Sequence, residues 1–304
     1  MSQQTFHFFA PISNICGPAD LVVFRNSIKP LKWKAQKIIR LLAELQDTEN
    51  SIDAEYKIET SECLNATKSY GWVIHFFVDL EIDSSVEHAH DLRLIEQINK
   101  IDRDLENDFQ LLRLLNGGSA RMMGPFWYKQ YPNNPALIFE TVRDDIGIGK
   151  RTIITRKTIS ATNNFIHTTA LPLKPDYLNL ALESYNLSQE IHQLQLRFLS
   201  LMISLETLFN DNPQELSYRI MRNVSILLGK NPKHASEIAT MVKDLYAKRS
   251  KLVHTGKMSN ISEEDINSLE EIVRKAILAM HKCGKSKKEL AEEFTAMGFG
   301  SWKA

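Results

Sequence analysis

The chain has 304 residues, enough for one large domain or two of ordinary size. Its 37 basic and 37 acidic side chains balance, so net charge does not attract the chain as a whole to nucleic acid or to a membrane. The three cysteines are far apart and form no CxxC pair, which argues against a disulfide framework and a zinc knuckle. With no signal-peptide pattern and no apolar run of transmembrane length, we expect a cytoplasmic protein that has no membrane partner.

The first part of the chain mixes strand and helix patterns. Six segments rich in aromatic and β-branched residues predict strands: TFHFFAPI, DAEYKIET, YGWVIHFFVDLEI, ARMMGPFWYKQY, ALIFETV and RTIITRKTIS. Between them, the apolar spacing predicts one helix over 31–46 and another over 86–115, the second ending at Gly117 and Gly118. We therefore predict an α+β domain over 1–172, whose sequence contains no motif that identifies its role and which we expect to act as a sensor or regulator.

After LPLKPD at 171–176 the sequence pattern changes from mixed strand and helix to helix alone, and residues 173–304 predict an all-α bundle. A long helical pattern runs from Pro175 to Asn210 with a break expected near Asn186. Three further helices are predicted over 214–229, 234–254 and 262–284, the last with Ser262 as its N-cap. A final helix opens with a capping box formed by Ser286 and Glu289. The predicted fold class is therefore α+β, with a mixed N-terminal domain followed by a helical bundle.

A charged residue interrupts the apolar stripe of the helix at 234–254. Arg249 lies four residues after Leu245 and three before Leu252, both of which the pattern predicts to be buried. A guanidinium on that face needs a partner, because an unpaired buried charge costs several kcal/mol. Glu206 lies three residues after Ile203 on the predicted inward face of an earlier helix, so we predict an ion pair between Glu206 and Arg249. Such a pair can be purely structural, holding two helices in register.

His254 follows in the last turn of the same helix. Five residues at 100° each place it about 140° around the helix from Arg249, so the two side chains converge only if the last turn distorts or a second subunit contributes. A histidine at this position can also be a simple C-terminal cap. Seven basic residues stand against two acidic ones between Lys230 and Lys257, which favours a local surface for phosphate groups, although a solvated lysine face gives the same pattern.

Three quoted segments, FLSLMISLETLF, ELSYRIMRNVSILLG and DLYAKRSKLVHTG, resemble the HEPN superfamily, and in particular its ApeA-like branch. The motif RSKLVH at 249–254 is similar to the R-x4-6-H motif of that superfamily, and the resemblance covers about residues 190–285. Ser250 departs from the pattern, since active members usually have Asn, Asp or His directly after the arginine. A serine can still donate or accept a hydrogen bond.

The resemblance implies a metal-independent endoribonuclease of antiviral or stress defence that needs no cofactor. It implies that His254 transfers protons during attack by the 2′-hydroxyl, that Arg249 stabilises the phosphorane and that Glu206 orients Arg249. The expected partners are RNA, with tRNA as a candidate, and a second copy of the chain bound through the HEPN domain. Four residues are candidates for RNA contacts: Tyr246, Lys248, Lys251 and Lys257. Some HEPN domains are instead non-catalytic modules that bind a nucleic acid or a protein, and this alternative stays open.

Three other patterns suggest sites that we consider weaker. EHAHD at 87–91 places His88 and His90 together, but residues two apart on a helix point in different directions, which disfavours a metal site. DDIGIGKR at 144–151 lacks the spacing of a phosphate-binding loop and predicts a hairpin turn. The aromatic cluster of Phe126, Trp127, Tyr128 and Tyr131 could stack on bases, but a half-buried strand explains it as well.

Overall fold

A computed structural model describes residues 2–32, 71–83, 85, 90–130, 135–140, 149–210, 216–255 and 261–298. The chain divides into two compact units, Met1–Thr169 and Ala170–Ala304. In the described ranges, a sheet lies in the first unit and most of the helices lie in the second, so the fold class is α+β as predicted. The predicted helix over 33–46 and the predicted strand DAEYKIET lie outside the described residues. Leu31 and Lys32, predicted to begin that helix, belong to a short strand.

The sheet of the first unit is built around one long antiparallel pair. Strand β1, Ser2–Ser13, pairs along its length with β4, Trp72–Ile82. Strands β3 (Pro30–Lys32), β6 (Phe126–Gln130) and β7 (Pro135–Glu140) complete the order β3-β4-β1-β6-β7, while β5 (Arg121–Met122) pairs with the end of β1. Strand β2, Ile15–Cys16, pairs in parallel with β8, Thr152–Ile153. Phe126 and Trp127 are fully buried, so these two aromatics belong to the core rather than to a base-stacking surface.

Two α-helices lie in the described part of this unit. Helix α1, Leu92–Asn116, begins at Asp91, whose carboxylate accepts hydrogen bonds from the backbone N–H groups of Arg93 and Leu94. Its N-terminus lies six residues after the predicted start at 86. Helix α2, Ile159–Thr168, begins at the last two residues of the segment RTIITRKTIS, for which a strand was predicted. Within that segment only Thr152–Ile153 form a strand, which pairs with the two residues of β2.

A buried carboxylate connects three parts of the first unit. Asp108 on α1 is fully buried and accepts hydrogen bonds from the Nε and the backbone N–H of Arg25, both at 2.7 Å. The same guanidinium donates to the carbonyl oxygen of Thr169 at 3.1 Å. Burial raises the pKa of Asp108, although the hydrogen bonds from Arg25 work in the opposite direction. This contact ties the segment around Arg25 to α1 and to the last residue of the unit.

The second unit is helical in the described residues. Its helices are α3 (Asp176–Ser188), α4 (Leu194–Phe209), α5 (Leu216–Leu228), α6 (Pro232–Thr255), α7 (Glu263–Cys283) and α8 (Lys287–Gly298). The break predicted near Asn186 falls after Ser188. Both predicted helix starts are confirmed: Ser262 forms a capping box with Asp265 on α7, and Ser286 and Glu289 exchange hydrogen bonds at the start of α8.

The inward face of α4 differs in part from its prediction. Phe198, Leu201, Met202 and Leu205 are buried as the core of the helical unit requires, but Ile203, which the pattern placed on the inward face, is 53% exposed. No helix among the described residues is long and apolar enough to cross a membrane.

Candidate functional site

Helix α6 carries most of the predicted site residues. It begins with Pro232, a residue suited to the first turn because a first-turn N–H has no partner within the helix. Ile238, Val242, Leu245 and Tyr246 are buried on its inward face, whereas Met241 is 41% exposed and Leu252 is half-buried. This apolar face fixes the rotation of α6 against its neighbours and thereby decides which polar side chains face inward.

The predicted ion pair is present and includes a third residue. The Glu206 carboxylate oxygen Oε1 lies 3.3 Å from Arg249 Nε and accepts a hydrogen bond from the Tyr246 hydroxyl at 2.7 Å. We name Glu206, Tyr246 and Arg249 the Glu206 cluster. The side chains of Arg249 and Glu206 are 30% and 18% exposed, so the pair is partly open to solvent. The guanidinium is therefore held in one orientation while part of it can still reach a ligand.

The Tyr246 hydroxyl donates its hydrogen bond to a group within the protein. Its residue exposure is 7%. Burial raises the pKa of Tyr246 well above its ordinary value, and the hydrogen bond to the Glu206 carboxylate raises it further. The phenol therefore stays protonated and keeps donating to Glu206. Contact between Tyr246 and RNA stays a prediction, and the described structure uses its hydroxyl to orient Glu206.

His254 lies on a different side of α6. The helix continues to Thr255 without a break, so the last turn is not distorted in the way that would bring His254 to Arg249. On a regular helix the two residues are about 140° apart around the axis and about 7.5 Å apart along it. His254 is exposed and makes no hydrogen bond or ion pair with any described residue. Within one chain, the arginine and the histidine are thus directed to different places.

Lys248 is engaged by a neighbouring helix. Its Nζ lies 2.6 Å from both carboxylate oxygens of Asp265 in the first turn of α7. Burial alone would raise the pKa of Asp265, but the hydrogen bonds from Lys248 and Ser262 outweigh it and lower that pKa. Lys248 therefore connects α6 to the capping box of α7. Its role in RNA binding stays a prediction.

A second face of α6 points to solvent. Lys243, Ala247, Ser250 and His254 are all exposed, and their spacing of four, three and four residues places them on one side of the helix. We name these four residues the outer stripe. Lys251 is also exposed, and Lys257 lies outside the described residues. The predicted site residues are therefore divided between two faces of one helix.

The weaker candidates gain no support in the described ranges. Asp91 is the N-cap of α1 and accepts backbone hydrogen bonds, which is a structural role, and His88 lies outside the described residues. Among the described residues no group of three or more His, Cys, Asp or Glu side chains could hold a metal ion. Most of DDIGIGKR and Tyr131 also lie outside them.

Two contacts of the site were not predicted from the sequence. The Tyr246 hydroxyl and the Asp265 carboxylate each complete a polar contact on α6. Tyr246 lies three residues before Arg249, on the same helical face, and this spacing is the signal that could have placed it beside Glu206. The sequence places Asp265 among the acidic residues in the first turn of a helix, but its pairing with Lys248 was not predicted.

No protein-family model matches the chain, and no curated protein or solved structure is significantly similar to it.

Proposed function

We propose that the chain is a metal-independent HEPN endoribonuclease that cleaves RNA in antiviral or stress defence. The observation that carries the proposal is the Glu206 cluster: a guanidinium fixed by a carboxylate and a buried tyrosine, yet 30% exposed, on the helix that carries an exposed histidine. A fixed cation stabilises charge that develops on a phosphate, because its orientation costs nothing at the moment of reaction. An imidazole that solvent and substrate can reach is able to accept or donate a proton in catalysis.

The reaction needs only these groups. His254 accepts the proton of a ribose 2′-hydroxyl, and the 2′-oxygen attacks the adjacent phosphorus. Arg249 stabilises the phosphorane, the bond from phosphorus to the 5′-oxygen breaks, and the protonated His254 donates its proton to that oxygen. The products are a 2′,3′-cyclic phosphate and a 5′-hydroxyl end. The step changes no oxidation state, so it needs no oxidant or reductant.

The separation of Arg249 and His254 on α6 favours a dimeric site. One chain directs its arginine and its histidine to different sides of the helix, and a second copy supplies the missing group. We therefore propose a homodimer through the helical unit in which Arg249 of one subunit acts with His254 of its partner.

An apolar face on the α3–α4 pair is a suitable surface for this second copy. The hydroxyl of Ser200 donates to the carbonyl of Ser184, and that of Ser204 donates to the carbonyl of Ala181, which fixes an antiparallel register. In that register, four aliphatic residues that are about half-exposed lie opposite one another in two pairs: Leu180 with Ile203, and Leu187 with Leu196. We name these four residues the aliphatic face. Exposed apolar residues grouped in this way are typical of protein interfaces.

The aliphatic face is continuous with the candidate site. Ile203 lies three residues before Glu206 on α4, about one turn of the helix, so a subunit covering Ile203 comes close to the Glu206 cluster. Val253, the neighbour of His254 on α6, is 49% exposed. A second copy that buries these residues excludes water beside Arg249 and strengthens its interaction with a phosphate.

The experiment that tests the function is incubation of purified protein with total tRNA in EDTA, followed by mapping of the fragment ends. Wild-type protein is expected to leave 2′,3′-cyclic phosphate ends, and His254→Ala is expected to leave the RNA intact. His192→Ala, which removes another exposed histidine of the same unit, serves as the matched control and is expected to cleave normally. Equal cleavage by wild type and His254→Ala contradicts the mechanism.

One observation favours the second candidate, a non-catalytic HEPN module that binds a nucleic acid or a protein. The charge of Arg249 is already balanced by Glu206, and within one chain His254 does not contact that pair. A module of this kind binds RNA in the same assay without producing fragments, and His254→Ala leaves its affinity unchanged.

A further inference from the structure

A groove between α5 and α6 lies outside the Glu206 cluster. Its volume is about 690 Å³, and five residues line it: Leu216, Ser217, Tyr218, Met221 and Lys243. Four of these residues come from the first two turns of α5, and Lys243 comes from α6. The groove therefore joins an apolar wall and an aromatic ring to one hydroxyl and one positive charge.

Two residues of the groove have side chains that the fold does not use. Tyr218 is 57% exposed, and neither its hydroxyl nor the Nζ of Lys243 makes a hydrogen bond or ion pair with any described residue. Lys248 and Arg249, further along α6, are held by Asp265 and Glu206. An exposed tyrosine and an unpaired lysine on the same groove are both available to a ligand.

The groove is connected to His254 by the outer stripe. Lys243 is the first residue of the stripe and His254 is the last, eleven residues later, which corresponds to about 16 Å along the helix axis. Between them lie Ala247 and Ser250, a small side chain and a short hydroxyl that leave the surface low and unobstructed. An extended chain of a few nucleotides can span this length between the groove and the imidazole.

We infer that the α5–α6 groove binds an unpaired base of single-stranded RNA, whose backbone runs along the outer stripe to His254. The base stacks on the Tyr218 ring and contacts the apolar wall formed by Leu216 and Met221, while Lys243 contacts the adjoining phosphate. The Ser217 hydroxyl is placed to hydrogen-bond the edge of the base. This inference rests on the proposed function for the reaction at His254, but the groove itself is tested by binding alone.

The chemistry of the groove selects a single strand over a duplex. A base inside a duplex is stacked on both sides, so its face is not available to a tyrosine. Tyr218 projects from the start of a helix and offers a free ring face, which any unpaired base can use. Among its described residues the groove has one unpaired cation, Lys243, which fits the single charge of an internal phosphodiester better than the multiple charges of a free nucleotide triphosphate.

The test uses the full chain and a fluorescently labelled single-stranded RNA of twelve nucleotides whose 2′-positions are all O-methylated. This RNA cannot react through a 2′-hydroxyl, so its affinity is measured without cleavage. Tyr218→Ala is expected to bind about 10-fold more weakly or worse, as loss of base stacking predicts, whereas Tyr218→Phe keeps the ring and the affinity. Lys243→Gln is expected to bind more weakly and to lower the slope of log affinity against log salt by about one.

Lys282→Gln is the matched control, because it removes the same charge from another exposed helical position of the same unit and is expected to bind as wild type does. A fully paired hairpin of the same length is expected to bind more weakly than the single strand. Unchanged binding by Tyr218→Ala, equal binding of the hairpin, or no binding of the single strand by wild type overturns the inference. The proposed function is judged separately by the tRNA assay, where His254→Ala and not Tyr218→Ala decides the result.

Discussion

The two faces of helix α6 differ in how their polar residues are used. On the inward face, Tyr246 and Arg249 share one oxygen of Glu206 and are fixed by it. On the outward face, Lys243 and His254 are exposed and make no polar contact with described residues. The inward face therefore holds a cation through Glu206, whereas the outward face leaves the imidazole of His254 exposed. A substitution on the inward face should affect both folding and activity, whereas one on the outward face should affect activity alone.

The largest difference is expected for His254→Ala. Cleavage of tRNA in EDTA should fall by about 10²- to 10⁴-fold, the range that general acid–base catalysis supplies. The midpoint of thermal unfolding should stay unchanged, because the exposed imidazole packs against nothing that the structure describes. The two values are measured on the same preparation by end mapping and by calorimetry. A lowered unfolding midpoint would show that His254 is a structural cap.

Arg249→Ala should affect both properties. Cleavage is expected to be lost, and the free energy of unfolding should fall by about 1 kcal/mol, since Glu206 keeps only the Tyr246 hydroxyl as partner. Arg249→Lys is the matched variant: it restores the charge but not the planar guanidinium, so it should recover stability more fully than activity. Unfolding is followed in urea. Full activity in Arg249→Ala would exclude a role for the guanidinium in the reaction.

A charge on the aliphatic face should separate the subunits. Ile203→Lys places an ammonium on an apolar surface that the dimer is proposed to bury, so the molecular mass in solution should fall to that of a monomer and cleavage should fall with it. Light scattering coupled to gel filtration measures the mass. Lys282→Glu changes the charge at another exposed helical position, and it is the control for the effect of a charge change alone. A wild-type monomer, or a dimer that Ile203→Lys leaves intact, contradicts the proposed surface.

Tyr246→Phe sharpens the comparison within the inward face. The change removes one hydrogen bond to Glu206 and keeps the ring, so the free energy of unfolding should fall by about 1 kcal/mol. The maximal rate of cleavage should fall more than the affinity for RNA, because Tyr246 positions Arg249 through Glu206 and is buried. The kcat and the KM are measured on one tRNA. A change in KM alone would indicate that Tyr246 contacts the RNA directly.

The smallest expected effect is on the stability of the fold at acid pH. The pKa of Asp265 is lowered in the folded chain, because the bonds from Lys248 and Ser262 outweigh the effect of burial. A lowered pKa gives stability that is complete above the unfolded value of 3.8 and is lost as the pH falls through the folded value. Asp265→Asn should therefore lose less stability than wild type when the pH is lowered below about 4. Urea unfolding at pH 3 and pH 6 measures the difference; an equal loss in both proteins would show that Asp265 does not contribute.

Much of this arrangement could be predicted from the sequence. The capping residues Ser262 and Ser286 marked two helix starts, because the side chain that satisfies the first N–H groups is a local property. The ion pair of Glu206 and Arg249 followed from two charges on apolar stripes, since a buried charge needs a partner. These features depend on few residues and on helix geometry.

Other features depend on tertiary packing and were predicted wrongly or not at all. The strand predicted over RTIITRKTIS covers only Thr152–Ile153, because β-branched residues favour a strand but the partner β2 offers only two residues for pairing. Ile203 was placed in the core because α4 has apolar residues on two sides, and periodicity alone does not tell which side packs on the bundle. The spacing of Tyr246 and Arg249 indicates a shared helical face, but the contact of the Tyr246 hydroxyl with Glu206, 40 positions away, depends on how α4 and α6 pack.

The central claim is that Arg249 and His254 act together across two subunits. The most direct test mixes Arg249→Ala and His254→Ala proteins, each inactive alone, under conditions that let subunits exchange, and measures tRNA cleavage in EDTA. A mixed dimer contains one intact pair across its subunits, so random exchange is expected to restore about a quarter of the wild-type activity. An equimolar mixture that stays inactive, while wild type treated in the same way cleaves, would contradict the claim.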